Sequence, residues 1–272
     1  MKLRNLRNKL IEIKNKFSLN KLTGDKKKRK NQKDNDLLLL ISALFIPSFY
    51  YFFTIRNSEI INRERYIPLL KCYLWGMFPA VILSLLIFNY LDKALLDRLL
   101  LNLPENKREL INASIVAPIV EEFSKGIGLF FFLKNIDELE DGIIYGAISG
   151  LGFATIENVL YSQLGENSGE RLFIVITRQL TSTILHMLAS SKFGKGIKNN
   201  NISKPPSFQL RYYLESILYH AGHNFSVSIF PNPLIVITVL ITITILYNIL
   251  FRRLKKEIRR EDKRTENNYK KS

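Results

Sequence analysis

A single cysteine, Cys72, stands among the 272 residues. One thiol excludes an intrachain disulfide and any cysteine cage around a metal, and its apolar surroundings suit simple burial. Acidic residues are scarce at both ends. Residues 1–36 hold 13 Lys/Arg against 4 Asp/Glu, and residues 252–272 hold 10 against 4. Of the formal +16, these ends carry +9 and +6, and residues 37–251 only +1. Strong basicity can mean nucleic acid. Here the excess flanks long apolar runs, so no nucleic-acid partner is expected. The basic ends are read as contacts to anionic lipids, at about 1 kcal/mol per Lys or Arg near the surface. A cleavable leader is not expected either, because residues 1–36 precede the first apolar run and no small-residue cleavage site follows it.

Charge is missing altogether from residues 37–55 and 72–91. A helix needs about 20 mostly apolar residues to cross a bilayer. Runs 111–133, 142–164, 172–191, 212–230 and 234–251 meet that length with few or no charges and complete a set of seven. The expected fold is all-α, a polytopic transmembrane bundle of about seven or eight spans. Its parts are a basic amphipathic tail and linker (1–36), the bundle (37–251) and a second basic tail (252–272). Leu3, Leu6, Leu10, Ile13 and Phe17 recur every three or four residues, the pattern of an interfacial helix. The tract Lys26 to Lys30 reads as a solvated linker, 91–103 as an amphipathic surface helix, and 192–211 as a basic cytoplasmic loop. Seven spans would put the basic ends on opposite sides, against the tendency of Lys and Arg to stay cytoplasmic, so orientation stays open.

An ionised side chain at mid-span costs roughly 2.5–3.5 kcal/mol on insertion scales. The four spans between 111 and 230 nevertheless hold Glu121, Glu122, Lys125, Glu157, Arg178, His186, Glu215, His220 and His223, which includes all 3 histidines. Helical spacing groups them. Lys125 lies four and three residues after the two glutamates. Phe153, Glu157 and Tyr161 share one face, as do Arg178, Ser182 and His186, and again Ser216, His220 and Asn224. Four polar stripes on four helices imply one hydrated chamber. Lys125 is read chiefly as a counter-ion, Arg178 and Glu215 as snorkelling near span ends, and His223 as packing. Gly142, Gly146 and Gly150 recur every fourth residue, a face that lets a neighbouring backbone come close.

Together these residues resemble a known family. The stretch Ala117 to Lys125, with Glu121, Glu122 and Lys125 as EExxK, resembles the first motif of the PrsW family of intramembrane proteases. The stretch Asp141 to Asn158, with Phe153 and Glu157 as FxxxE, is similar to its second block. His186 stands as the lone histidine of the following helix, and His220 with Asn224 resembles the closing HxxxN element. The likeness covers about residues 111–230, a protease-like core. It implies hydrolysis of peptide bonds in membrane-anchored proteins, with the first cut of anti-sigma factors as the family's role in some bacteria. It also implies a relation to CAAX-type prenyl-protein endopeptidases. By this resemblance Glu121 or Glu122 activates water, Glu157 and His186 share base and acid duties, and His220 and Asn224 donate to the oxyanion. Lys125, Phe153 and Asn158 support them. A glutamate-type site without cofactor is favoured, because HExxH is absent and His186 and His220 lie 34 residues apart. Zinc is the alternative, on His186, His220 and Glu122. The expected location is the cell membrane, as a multi-pass protein. Two other readings use the same residues: a proton-coupled carrier, which lacks an internal repeat of 111–164, and an inactive membrane scaffold.

Overall fold

The computed structural model describes residues 26–92, 99–198, 210–228 and 233–270. The expected interfacial helix within 1–25 and residues 93–98 of the expected surface helix at 91–103 lie outside the described residues. Among the described residues every regular element is helical. In chain order they are α1 (Lys26–Arg56), α2 (Tyr66–Leu91), α3 (residues 105–127), α4 (Leu139–Ser162), α5 (Ser168–Leu180), α6 (Ser182–Lys198), α7 (Leu210–Ser228) and α8 (Pro233–Tyr269).

Five segments of the described chain are long and apolar enough to cross a membrane: Asp36–Arg56, Tyr66–Leu91, Leu139–Ser162, Ser168–Ile197 and Ile235–Asn267. The expected count of seven or eight is not reproduced. The two runs that drop out, 111–133 and 212–230, overlap α3 and α7, which give apolar positions over to the polar side chains of the chamber. The chain after α3 also tightens into a 3-10 turn, Gly128–Phe132.

Small residues make α4 the axis of the bundle. Of its apolar window 78% is buried, against 17% for α8. A Cβ on Gly146 would meet the Ser190 carbonyl oxygen at 2.3 Å, one on Gly150 that of His186 at 2.2 Å, and one on Gly194 that of Gly142 at 1.9 Å. The glycine ladder therefore seats α6 backbone to backbone on α4, as its spacing predicts. On another face, a Cβ on Gly152 would lie 2.0 Å from the Tyr73 carbonyl oxygen of α2. Exposed apolar side chains such as Leu38, Phe49, Ile82, Leu86, Ile237 and Ile241 cover the outer helices.

Helix ends are set locally. Asp141 Oδ2 accepts from the Glu138 backbone N–H (2.6 Å) at the start of α4, half of a capping box. The Asn167 side chain caps α5 by accepting from Glu170 N–H at 3.0 Å. Thr181 divides α5 from α6, and its hydroxyl donates back to the Thr177 carbonyl (2.9 Å), a bond that bends helices.

Helices run into the segments expected as a linker, a loop and a basic tail. α1 begins at Lys26, inside the expected linker, and α6 continues to Lys198, into the expected loop. Residues 252–269, expected as a tail, prolong α8 and bury Leu254, Ile258 and Asp262. Periodic apolar residues within a basic stretch let it pack while its lysines and arginines stay wet.

Candidate active site

Consecutive residues on a helix point about 100° apart, and this separates the two glutamates of α3. Glu122 is fully buried. Its Oε1 takes the Lys125 ammonium and His220 Nδ1 (2.9 Å), and its Oε2 takes the hydroxyls of Ser190 (3.0 Å) and Ser216 (3.1 Å). Four donors from α3, α6 and α7 occupy both oxygens. Glu122 is thus the knot that ties three helices together. Glu121 turns to the more open side and keeps 18% of its side chain exposed.

Lys125 also reaches His186 Nδ1 at 2.9 Å. An ammonium only donates, so Nδ1 accepts and the other ring nitrogen carries the proton. That Nε2–H donates to Glu157 Oε2 at 2.7 Å. Glu157, 17% exposed, receives Arg178 on the same oxygen at 2.7 Å. Arg178 also donates to Asn158 (2.7 Å) and Ser182 (2.9 Å), and lies 3.7 Å over the Tyr161 ring. It does not snorkel, as its place near a span end suggested. The bend at Thr181 brings Arg178 and His186 to the same carboxylate from either side of the break.

His220 donates its Nδ1–H to Glu122 and turns Nε2 towards Glu121 Oε2 at 3.6 Å. The two imidazoles stand edge to face, 4.7 Å between centroids, with the Phe153 ring 5.5 Å from His186. Glu121, Glu157, His186 and His220, from α3, α4, α6 and α7, therefore share one small space.

Several expected residues take other places. Asn224 donates to the Ala113 carbonyl (2.8 Å), holding α7 to the π-type turn Asn112–Val116 of α3 rather than pointing a donor at the cluster. Asn158 bridges Arg178 and Thr183. Glu215 pairs with Arg211, and His223 is buried beside Tyr247. Ser190 and Ser216 also belong to the site through their hydroxyls on Glu122. Their signal was positional, four residues after His186 and four before His220.

This geometry fits a metal ion. Ligand atoms of Glu121, His186 and His220 lie within 4.8 Å of one another. His220 Nε2 and Glu121 Oε2 face each other at 3.6 Å. The Glu122 carboxylate behind His220 is the partner that commonly orients a metal-binding imidazole. One carboxylate and two imidazoles suit zinc. The set has Glu121 in place of the expected Glu122, whose two oxygens are held by four donors; His186, engaged at both nitrogens, joins it only by giving up its Nε2 proton to Glu157.

The family described as PrsW family intramembrane metalloprotease matches residues 64–250. The chain belongs to the PrsW family. Protease PrsW of Clostridioides difficile (strain 630) is 34% identical over 192 residues, 68% of this chain and 77% of that protein. Protease PrsW of Geobacillus kaustophilus (strain HTA426) is 36% identical over 115 residues, 39% of this chain and 49% of its own. That of Oceanobacillus iheyensis is 29% identical over 131 residues, covering 47% and 60%. No solved structure matches. The PrsW match is wider than the core at 111–230 and takes in α2 and the apolar part of α8. Membership places the chain among integral membrane proteases, and the family's description as metalloproteases runs against the expectation of a cofactor-free site.

Proposed function

We propose that this protein is an intramembrane endopeptidase of the cell membrane that hydrolyses peptide bonds in membrane-anchored substrates. By the family resemblance these are of the anti-sigma-factor class. One observation carries the proposal: Glu121, Glu157, His186 and His220 converge from four helices in a bundle that has every reason to keep such groups apart.

The roles follow from access and partners. Glu122 and Lys125 are sealed and position the two imidazoles. Glu121 and Glu157 are the accessible carboxylates. Glu121 lies beside His220 Nε2, at the accessible edge of the cluster, and suits the task of taking a proton from the attacking water. Arg178 pairs with Glu157, and His186 Nε2–H is aimed at the same carboxylate. That proton is the one to be passed to the leaving amine, with Glu157 receiving or returning it. Glu121, His220 and His186 would hold a zinc-class ion, His186 after giving its Nε2 proton to Glu157. Such an ion, when bound, supplies a more acidic water and polarises the scissile carbonyl. Asn224, engaged with Ala113, positions α7.

The test uses the full chain in proteoliposomes with a membrane-tethered peptide substrate. Cleavage is expected from the native chain and a loss of about 100-fold or more from Glu121→Gln and from His220→Ala, each inserted normally. Full cleavage by both variants, or pH-driven proton flux without cleavage, overturns the reading.

A further inference from the structure

A second group of acids lies at the far end of α4. Asp141 precedes Glu157 by sixteen residues on that helix, about 24 Å at 1.5 Å per residue. Glu59, Glu138 and Asp141 each offer an oxygen, and these three lie within 4.8 Å of one another; all three residues are buried. Glu64, Asp137 and Asp141 form a second such trio, with Asp137 exposed at its edge. The acids come from the α1–α2 loop and from the turn into α4. Asp262 of α8 joins them by accepting from the Ile60 (2.7 Å) and Ile61 (3.2 Å) backbone N–H groups.

Among the described residues no lysine or arginine ion-pairs with any of these carboxylates. The nearby Arg63 and Arg56 donate through Nε to the backbone carbonyls of Glu59 (3.0 Å) and Glu64 (2.8 Å) instead. Two carboxylate oxygens are left over. Glu59 is fully buried; its Oε2 accepts from Glu64 N–H at 2.7 Å, while Oε1 has no hydrogen-bond partner. Asp262, 2% exposed, has Oδ1 in the same condition. A buried acceptor without a donor is costly, and a charged one more so.

We infer that Glu59, Glu138 and Asp141, with Glu64 and Asp137 beside them, form a site for a hard divalent cation of the calcium or magnesium class. The donors are all oxygens, the chemistry such ions select and imidazole-seeking metals do not. Asp137 provides the opening. The cation would fasten the α1–α2 loop to the start of α4, at the point where Asp262 holds the end of α8.

The experiment uses the full chain carrying Glu121→Gln, so that the Glu/His cluster is disabled as a cation site. It is purified in detergent, stripped with EDTA and titrated separately with calcium and with magnesium. Thermal unfolding is expected to shift upward by about 5 °C or more at hundredfold excess over Kd, and the ion that produces the shift identifies the class. Glu59→Gln, which keeps an acceptor for Glu64 N–H, is expected to abolish it. No shift with either ion, or a shift that survives Glu59→Gln, overturns the proposal. Should Glu59→Gln fail to fold, terbium reports on the same place. The Tyr145 hydroxyl donates to Glu64 at 2.9 Å and can sensitise a bound lanthanide. Sensitised emission displaced by calcium or magnesium supports the site, and its absence overturns it.

Discussion

Adjacent glutamates in α3 do different work, and substitutions can separate them. Glu122 is the buried counter-charge of Lys125, and breaking a buried pair by removing one partner costs about 3–5 kcal/mol. Glu122→Gln is therefore expected to lower the unfolding temperature as well as cleavage. Glu121→Gln, at the accessible edge, is expected to remove cleavage by about 100-fold or more with unfolding unchanged. Thermal unfolding beside a peptide-cleavage assay checks both, and equal destabilisation by the two would contradict the division. Asn224 gives a further test at this scale. Asn224→Ala loses one hydrogen bond to Ala113, about 1 kcal/mol. Cleavage within about tenfold of native is expected, whereas an oxyanion donor would cost 100-fold or more.

At the scale of elements, the contact of α4 with α6 is what holds Glu157 against His186. It depends on residues with no side chain. A Cβ at Gly194 would sit 1.9 Å from the Gly142 carbonyl oxygen, and the backbone there cannot step aside as a flexible side chain would. Gly194→Ala is expected to cost about 3 kcal/mol, the upper end of ordinary overpacking, and to reduce cleavage by parting the two helices. Gly222 on α7 is the control, since a Cβ there meets nothing within 4 Å. Gly222→Ala is expected to be neutral or to stabilise by up to about 1 kcal/mol. Unfolding temperatures of the two variants decide it; similar losses would show that space between helices is not the cause.

Across the whole molecule, α8 runs beyond its apolar part, and its extension carries buried Leu254, Ile258 and Asp262. A chain ending at Phe251 keeps every residue of the Glu/His cluster. Burying a large apolar side chain is worth about 1.5–3 kcal/mol, so this truncation is expected to lower the unfolding temperature by about 5 °C or more. Cleavage per folded molecule should hold. An unchanged melting curve would show the extension to be dispensable. The sequence alone determined the all-helical membrane class, the glycine ladder of α4 and the presence of Glu121, Glu122, Glu157, His186 and His220 on inward stripes. Those features are one-dimensional: apolar length and helical spacing are properties of a single segment. Only the tertiary structure decided which carboxylate is sealed and which is open, that Arg178 turns to Glu157, that Asn224 is taken by Ala113 and that the basic end of the chain is a packed helix. Each of these depends on which donor a neighbouring helix brings within about 3 Å, a distance that no spacing along the chain contains.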